Sequence, residues 1–221
     1  MKTIPCHTIA FAFNQEAQHW LDTNIPALVD RFDIEYLDSG GPWFSDPDST
    51  ESLEFQQSPP AQQMISFLAS FGLTDTFIHP FMYKIDTTRV NSILENPHID
   101  TPNSLVLSSR LNVIYEDDGK SKMHWWDIDI DSPKVHEFII PTSYAKRWNI
   151  IGNSRKERFD LIGPPDYSTS TLSIPGKTAD LVKTDIVHSI ERTGSRRIMI
   201  SARIYYPWEH VCAKFGVPSC T

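Results

Sequence analysis

The sequence predicts a mainly β fold preceded by helices. Residues 183–190 and 197–203 have the sequence character of strands and lie on either side of a turn around Gly194, which predicts strand, turn and strand. Residues 123–130 have a further strand pattern. Apolar residues at helical spacing occur instead in the N-terminal part of the chain. We therefore expect a β domain that is supported by N-terminal helices.

Two helices are expected before residue 90. Asn14 can cap the first helix, which runs through Leu21, because an Asn side chain accepts a hydrogen bond from a backbone N–H of the first turn. Residues 61–71 have helical apolar spacing and are followed by Gly72, a residue typical of helix ends. The intervening segment 38–60 is rich in Gly, Pro, Ser and Asp, and we expect it to be a loop.

The length of 221 residues fits a single domain with a sizeable core. We expect residues 1–89 to form a helical and loop support region and residues 90–207 to form a barrel core that carries the site. Residues 138–175 show no clear periodicity, and long segments of this kind are often functional. This segment is predicted to be either a lid or an ordinary surface loop.

Composition argues against several classes of protein. The formal net charge of −8 argues against a broad phosphate-binding surface, so nucleic acid is not expected as a partner. The three cysteines, Cys6, Cys212 and Cys220, are odd in number and lie near the termini, so no disulfide framework is expected. No segment has the apolar length that spans a bilayer, and the N-terminus lacks a signal-peptide pattern. These features predict a cytoplasmic protein.

His98 and Asp100 are two metal-binding residue types placed two positions apart. On an extended segment both side chains leave the same face, so they can bind one metal ion together. His188 follows His98 after 90 positions and can supply a third ligand from another strand of the same barrel. Two histidines and one carboxylate with open coordination positions favour non-haem Fe(II).

The segment after His188 carries a candidate anion-binding face. Arg197, Met199, Ser201 and Arg203 share one face of the predicted strand, because side chains in a strand alternate. An arginine and a hydroxyl on the hairpin partner of the His188 strand suit a dicarboxylate. Each motif alone also has a structural explanation, such as a turn, a core histidine or a surface ion pair. Their joint order favours a functional site.

This order of motifs resembles the Fe(II)- and 2-oxoglutarate-dependent dioxygenases, from Val90 to Pro207. The resemblance implies a double-stranded β-helix, or jelly-roll, barrel of the cupin-like type. It also implies that His98, Asp100 and His188 hold Fe(II), and that 2-oxoglutarate and O2 are co-substrates. The aspartyl/asparaginyl and prolyl hydroxylases are the subfamilies considered, and the Gly-Gly that is common in the family before the second strand is absent here.

Three arginines are candidates for binding 2-oxoglutarate. Arg197 lies nine positions after the distal histidine and Arg203 lies fifteen positions after it, and both spacings occur in the superfamily. We expect Arg197 to hold the far carboxylate, with Arg203 and Ser201 as the alternative anchor. Arg110 lies twelve positions after His98, roughly where aspartyl/asparaginyl hydroxylase-like relatives place a second oxoglutarate-binding arginine.

The function expected from these features is hydroxylation of an unactivated C–H bond. The prime substrate is a peptidyl side chain or a small metabolite, and the sequence does not choose between them. Two alternatives stay open: a cupin-like metal enzyme that does not use 2-oxoglutarate, and a non-catalytic barrel that binds a small acid.

Overall fold

A computed structural model of the chain describes thirteen separate segments. These are residues 5–31, 41–42, 50–84, 93–94, 98–99, 109–117, 122–125, 135–139, 156–161, 172–175, 179–186, 188–192 and 196–220. In several of the short strands it describes the backbone and its pairing only.

The helices within these segments are α1 (Gln15–Arg31), α2 (Thr50–Gln56), α3 (Pro59–Ser70) and α4 (Trp208–Phe215). The predicted cap of α1 is confirmed, because Asn14 Oδ1 accepts a hydrogen bond from the Ala17 backbone N–H at 2.8 Å. The second predicted helix is also confirmed as α3, and Gly72 follows it with a φ of +77°. Among the described residues no helix is both long and apolar enough to cross a membrane.

Helix α2 corrects the prediction of a continuous loop over residues 38–60. It buries Ser52 and Phe55, and the Phe55 ring meets Trp20 of α1 edge to face at 5.7 Å. Tertiary packing of one aromatic residue therefore holds a short helix in a segment whose composition is typical of loops.

The strands are, in chain order, β1 (Cys6–Thr8), β2 (Gly41–Pro42), β3 (Thr76–Lys84), β4 (Ile93–Leu94), β5 (His98–Ile99), β6 (Ser109–Asp117), β7 (Lys122–Trp125), β8 (Val135–Ile139), β9 (Lys156–Leu161), β10 (Leu172–Pro175), β11 (Ala179–Lys183), β12 (His188–Arg192) and β13 (Arg196–Ile204). They form two antiparallel sheets. The six-stranded sheet has the order β1-β11-β6-β13-β3-β2, and the seven-stranded sheet has the order β10-β7-β12-β5-β9-β8, with β4 also paired to β12. The prediction of a mainly β fold with a few helices is confirmed.

The predicted C-terminal hairpin is wrong. Strand β12 pairs with β4, β5 and β7, whereas β13 pairs with β3 and β6, so the two strands belong to different sheets. The single strand predicted over residues 183–190 is also divided, because β11 ends at Lys183 and β12 begins at His188. Period-two alternation predicts extended strands, but it does not distinguish a hairpin from a connection between sheets.

Two other regions contain strands that the sequence did not predict. Strands β9 and β10 lie within the aperiodic segment 138–175 and extend the seven-stranded sheet; the remaining residues of the possible lid lie outside the described residues, apart from the end of β8. Strand β3 lies in the N-terminal support region although Pro80 interrupts its pattern. Pro80 lies opposite Ile200 of β13, and on the other side of β3 the strand β2 pairs only with Phe81 and Met82.

The main hydrophobic core lies between the helices and one face of the six-stranded sheet. It contains buried residues of α1, α3 and α4, such as Leu21, Met64 and Trp208. From the sheet come Leu111, Val113, Leu181, Ile200 and Ala202. These residues leave the opposite face of the same strands for the site.

Candidate functional site

His188 begins β12 directly after the bend that follows β11. Its side chain is buried, with 3% exposed, and its Nδ1 lies 2.8 Å from the backbone carbonyl oxygen of Ile186. Because a carbonyl oxygen only accepts, Nδ1 carries the proton in this contact and donates it. In a neutral imidazole Nε2 then holds the lone pair, as in most metal-ligating histidines. The bend therefore favours the tautomer that a metal ligand needs.

Strand pairing brings His98 opposite His188. Strand β12 lies between β7 and β5, and His188 is the register partner of His98 in β5 and of Trp125 in β7. Residues directly opposite in an antiparallel pair occupy one face of the sheet, with Cβ positions roughly 5 Å apart. Two positions that lie 90 residues apart in sequence are therefore neighbours in the sheet.

The structure describes the other two predicted ligands only in part. Asp100 lies outside the described residues, and for His98 the structure describes the backbone and not the side chain. Within the part of the chain that the structure describes, no group of three His, Cys, Asp or Glu side chains could hold a metal ion. The complete ligand set therefore stays a prediction.

The four predicted residues of β13 share one face. The register of β13 with β3 runs without a shift along the whole strand, so Arg197, Met199, Ser201 and Arg203 alternate as expected. Arg197 is 6% exposed and Ser201 is fully buried, whereas Arg203 is partly exposed. A charged guanidinium is thus held inside the protein by this face of the sheet.

This face of β13 packs toward the face of β12 that carries His188. Ile190 packs with Met199, and Ile114 of β6 and Met123 of β7 pack against them. Alternation along β12 places His188 on the same face as Ile190. We call the region between these two faces the inter-sheet space. His188 and the arginine-bearing face of β13 both border it.

Trp125 closes the inter-sheet space beside His188. Its side chain is almost fully buried and packs with Val182 of β11 and Cys6 of β1. The indole Nε1 donates a hydrogen bond to the backbone oxygen of Lys183 at 3.1 Å. Since its polar atom is satisfied, the whole ring can exclude water from this edge. The sequence assigned no role to Trp125 or Trp126, and Trp126 lies outside the described residues.

A row of polar residues crosses the face of the six-stranded sheet that borders the inter-sheet space, which we call the inner face. Its members are consecutive register partners on five strands: His79, Ser201, Asn112, Asp180 and Thr8. All but Thr8 are buried. Ser201 Oγ donates to Asn112 Oδ1 at 2.8 Å, and Thr8 Oγ1 donates to Asp180 Oδ1 at 3.2 Å. These two bonds offset part of the cost of burying polar groups.

Of this row, sequence reasoning had singled out Ser201 alone. Asn112 could have been found, because it lies two positions after Arg110 in an alternating strand and so shares its face. His79 and Asp180 carry no such local signal, since their neighbours are set by strand pairing.

The three candidate arginines have different cross-strand neighbours. Arg203 is directly opposite Arg110 of β6, whereas Arg197 is directly opposite the position of Asp117. Like charges opposite each other are destabilising, and opposite charges are stabilising. Arg110 and Arg203 are both partly exposed. The register therefore places two arginine positions opposite each other at one end of β13, and an arginine position opposite an aspartate position at the other.

The Cys6 thiol at the edge of this face is chemically inert. Burial and the nearby Asp180 carboxylate raise the pKa of Cys6 to about 12, because both disfavour the thiolate. A neutral buried thiol is a poor nucleophile and a poor metal ligand. Cys6 therefore packs as an apolar side chain, and all three cysteines of the chain are free, as predicted.

No protein-family model matches this chain, and no curated protein matches it significantly. The chemistry of the site is therefore inferred from the residues themselves.

Proposed function

We propose that the protein is an Fe(II)- and 2-oxoglutarate-dependent dioxygenase that hydroxylates a C–H bond. The observation that carries the proposal is the pairing of His98 opposite His188, with the His188 tautomer held by the Ile186 carbonyl. A facial set of two histidines and one carboxylate needs its histidines side by side. The register of β5 with β12 meets that need.

The strand order supports a double-stranded β-helix, which belongs to the same proposal. Four strands of the six-stranded sheet run in the order β11-β6-β13-β3, and four strands of the other sheet run in the order β10-β7-β12-β5. At three of the four positions the paired strands are neighbours in sequence (β11 and β10, β6 and β7, β13 and β12), and at the fourth, β3 and β5, only the two-residue β4 lies between them. In a jelly roll the chain crosses repeatedly from one sheet to the other, and the two sheets face each other. On this view β8 and β9 are an addition at the β5 edge.

His98, Asp100 and His188 would hold the metal ion. Their donor types, two imidazoles and one carboxylate, fit Fe(II), and the buried His188 has the required tautomer. When bound, Fe(II) supplies the activation of O2 that couples conversion of 2-oxoglutarate to succinate and CO2 with hydroxylation of the substrate. The protein supplies binding, orientation and exclusion of water.

Arg197 would bind the far carboxylate of 2-oxoglutarate. Its guanidinium is buried on the face that borders the inter-sheet space, and a planar guanidinium can donate two parallel hydrogen bonds to one carboxylate. The neighbouring Met199 and Ile190 are apolar and packed together. They would keep water from the middle of the co-substrate, which strengthens the charged contact at its end.

The test is turnover of 2-oxoglutarate by the purified protein with Fe(II), ascorbate and O2. We expect slow release of succinate without a prime substrate, and inhibition by N-oxalylglycine, which chelates metal in the same way. Anaerobic addition of 2-oxoglutarate to the Fe(II)-loaded protein should give a metal-to-ligand charge-transfer band. A protein that binds Fe(II) but gives no band with 2-oxoglutarate would contradict the proposal.

A non-catalytic barrel that binds a small acid is the second candidate. It is favoured by the arginines on the inner face, which do not need iron to bind an anion. Iron content after anaerobic reconstitution distinguishes the two candidates, because an acid-binding barrel has no need to retain Fe(II). A cupin-like enzyme that does not use 2-oxoglutarate would bind the metal ion but give neither succinate nor the charge-transfer band.

A further inference from the structure

We propose that Asp185, through its ion pair with Lys183, is a positioning residue for His188, because it holds the bend whose carbonyl group orients the imidazole. The role of this imidazole as a metal ligand rests on the proposed function; its orientation does not. Residues 183–188 connect β11 of the six-stranded sheet to β12 of the other sheet. This connection therefore decides where the side chain of the first residue of β12 lies.

Both ends of the segment 183–188 are held by one residue, Trp125 of β7. At the first end, the indole Nε1 donates a hydrogen bond to the Lys183 carbonyl oxygen at 3.1 Å. At the other end, Trp125 is the register partner of His188. The Lys183 backbone N–H also donates to the Pro5 carbonyl oxygen at 2.8 Å. Because both ends are fixed, the short bend between them has few alternative conformations.

The ion pair fixes the middle of this bend. Lys183 Nζ lies 2.9 Å from Asp185 Oδ1 and 3.1 Å from Asp185 Oδ2, so both carboxylate oxygens face one ammonium group. The Lys183 side chain is 10% exposed and that of Asp185 is 26% exposed. Lys183 Nζ also lies 5.9 Å from the centroid of the ring of Trp208, a buried residue of α4. A partly buried contact to two oxygens is held more firmly than an exposed ion pair, which contributes little.

The bend ends in the carbonyl group that meets the imidazole. Ile186 follows Asp185 directly, and its carbonyl oxygen lies 2.8 Å from His188 Nδ1. Since the Asp185 side chain is tied back to the end of β11, the backbone after it is restrained, and so is the direction of this carbonyl group. An imidazole that donates from Nδ1 to a fixed acceptor keeps its ring plane and leaves the lone pair on Nε2. Loss of an outer-shell contact of this kind typically lowers metal affinity by roughly 10- to 100-fold.

The first test measures the imidazole directly in the metal-free, full-length protein. The nitrogen chemical shifts of the His188 ring, recorded at a pH where the imidazole is neutral, report which nitrogen carries the proton. We expect Nδ1 to carry it in the original protein and the other tautomer to become populated in Asp185→Asn. Asn keeps the size of the side chain but removes the charge that holds Lys183. Glu54→Gln, the matching change at an exposed position of α2, should leave the shifts unchanged.

The second test measures metal affinity by anaerobic calorimetry with Fe(II) alone. Asp185→Asn should weaken Fe(II) binding by about tenfold. Lys183→Met should weaken it by a similar factor, and the double variant should lose about as much as either single variant, because all three break the same ion pair. Trp125→Phe keeps an aromatic ring but removes the indole N–H, so it should also weaken Fe(II) binding, by about tenfold or less.

A control in the helical core separates loss of orientation from loss of stability. Ile25→Val removes one buried methyl group from α1 and should lower the urea midpoint of unfolding without changing the His188 shifts or the Fe(II) affinity. If it changes them as much as Asp185→Asn does, the effect is one of stability and the proposal is overturned. Lys183→Met breaks the same ion pair and gives the same test if Asp185→Asn does not fold.

Two further results would overturn the proposal. One is that Nδ1 of His188 does not carry the proton in the original protein. The other is that folded Asp185→Asn keeps the original tautomer or, in a protein that binds Fe(II), the original Fe(II) affinity. A protein that loses the Nδ1 tautomer in Asp185→Asn but binds no Fe(II) would support the positioning role and contradict the metal site. Failure of the dioxygenase proposal and failure of the positioning role are thus distinguishable.

Discussion

The two faces of the six-stranded sheet are built by the same strands but have opposite character. On the face that contacts the helices, the buried residues of β6, β11 and β13 are apolar: Leu111, Val113, Leu181, Ile200 and Ala202. On the face that borders the inter-sheet space, the alternate residues of these strands include Asn112, Asp180, Arg197 and Ser201, which are also buried. Burial alone therefore does not identify a structural core.

The difference lies in what burial does on each face. Burial of an apolar side chain stabilises the folded state by about 25 cal/mol per Å² of apolar surface removed from water. Burial of a polar or charged side chain destabilises the folded state unless the buried group finds a partner. The bond from Ser201 to Asn112 offsets part of this loss but adds little net stability. This polar face is the one on which we propose that the carboxylate of 2-oxoglutarate is bound.

The largest expected effect concerns the proposed metal ligand His188, which lies on β12 across the inter-sheet space from the polar face of the six-stranded sheet. His188→Ala should lower Fe(II) affinity by more than about a hundredfold and abolish succinate release, because loss of even an outer-shell partner typically costs 10- to 100-fold. Iron content after anaerobic reconstitution and succinate formation are the measurements. His210→Ala is the control, since His210 is exposed on α4 and stacks on Tyr206. Full iron occupancy in His188→Ala would refute the ligand assignment.

The next effect concerns the helix-facing side. Leu111→Ala should lower the free energy of unfolding by about 2–5 kcal/mol, because it removes a fully buried side chain and leaves a cavity. Ser201→Ala, on the inner side of the neighbouring strand, should cost about 1 kcal/mol. Urea denaturation measures both. The comparison fails if Leu111→Ala, still folded, loses affinity for 2-oxoglutarate while Ser201→Ala keeps it.

A third prediction tests whether Arg197 and Arg203, which lie near opposite ends of β13 on the inner face, have different roles. Arg197→Met should weaken 2-oxoglutarate binding by about 2–4 kcal/mol, a hundredfold or more, because a bidentate charge-assisted contact is lost. Arg203→Met should change this affinity little. Anaerobic titration of the charge-transfer band gives both dissociation constants. If the two effects are reversed, Arg203 with Ser201 is the anchor, as in the alternative drawn from the sequence.

The smallest effect concerns the edge of the inner face at Cys6. The pKa of its thiol is raised from 9.0 to about 12 in the folded protein, so between these pH values the folded state keeps a proton that the unfolded chain has lost. The contribution of the Cys6 thiol to the free energy of unfolding is therefore fully present below pH 9 and is lost as pH rises toward 12. From pH 8 to pH 10 the loss should be about 1 kcal/mol relative to Cys6→Ala. Equal pH dependence of the two proteins in urea denaturation would contradict this.

Thiol labelling of the native protein gives a direct companion measurement. Cys220 is partly exposed, whereas Cys6 and Cys212 are buried. Cys220 should react first with a thiol reagent at pH 8, and the other two should react only on unfolding.

Local features of the chain were predictable from sequence. The Asn14 cap, the helix before Gly72 and the shared face of Arg197 and Ser201 were all confirmed. Each depends on residues within a few positions of one another, where backbone geometry fixes which side chains lie together. Features that depend on distant partners were missed, as with α2, whose Phe55 meets Trp20 of another helix.

The sequence by itself determined the residue types of the candidate site and their alternation along the strands. Only the tertiary structure decided that β12 and β13 belong to different sheets, that His98 lies opposite His188, and that Arg203 lies opposite Arg110. The physical reason is that register is set by hydrogen bonds between strands that are distant in the chain, and by the packing of whole sheet faces. Alternation tells which residues share a face, but it does not tell which face they meet.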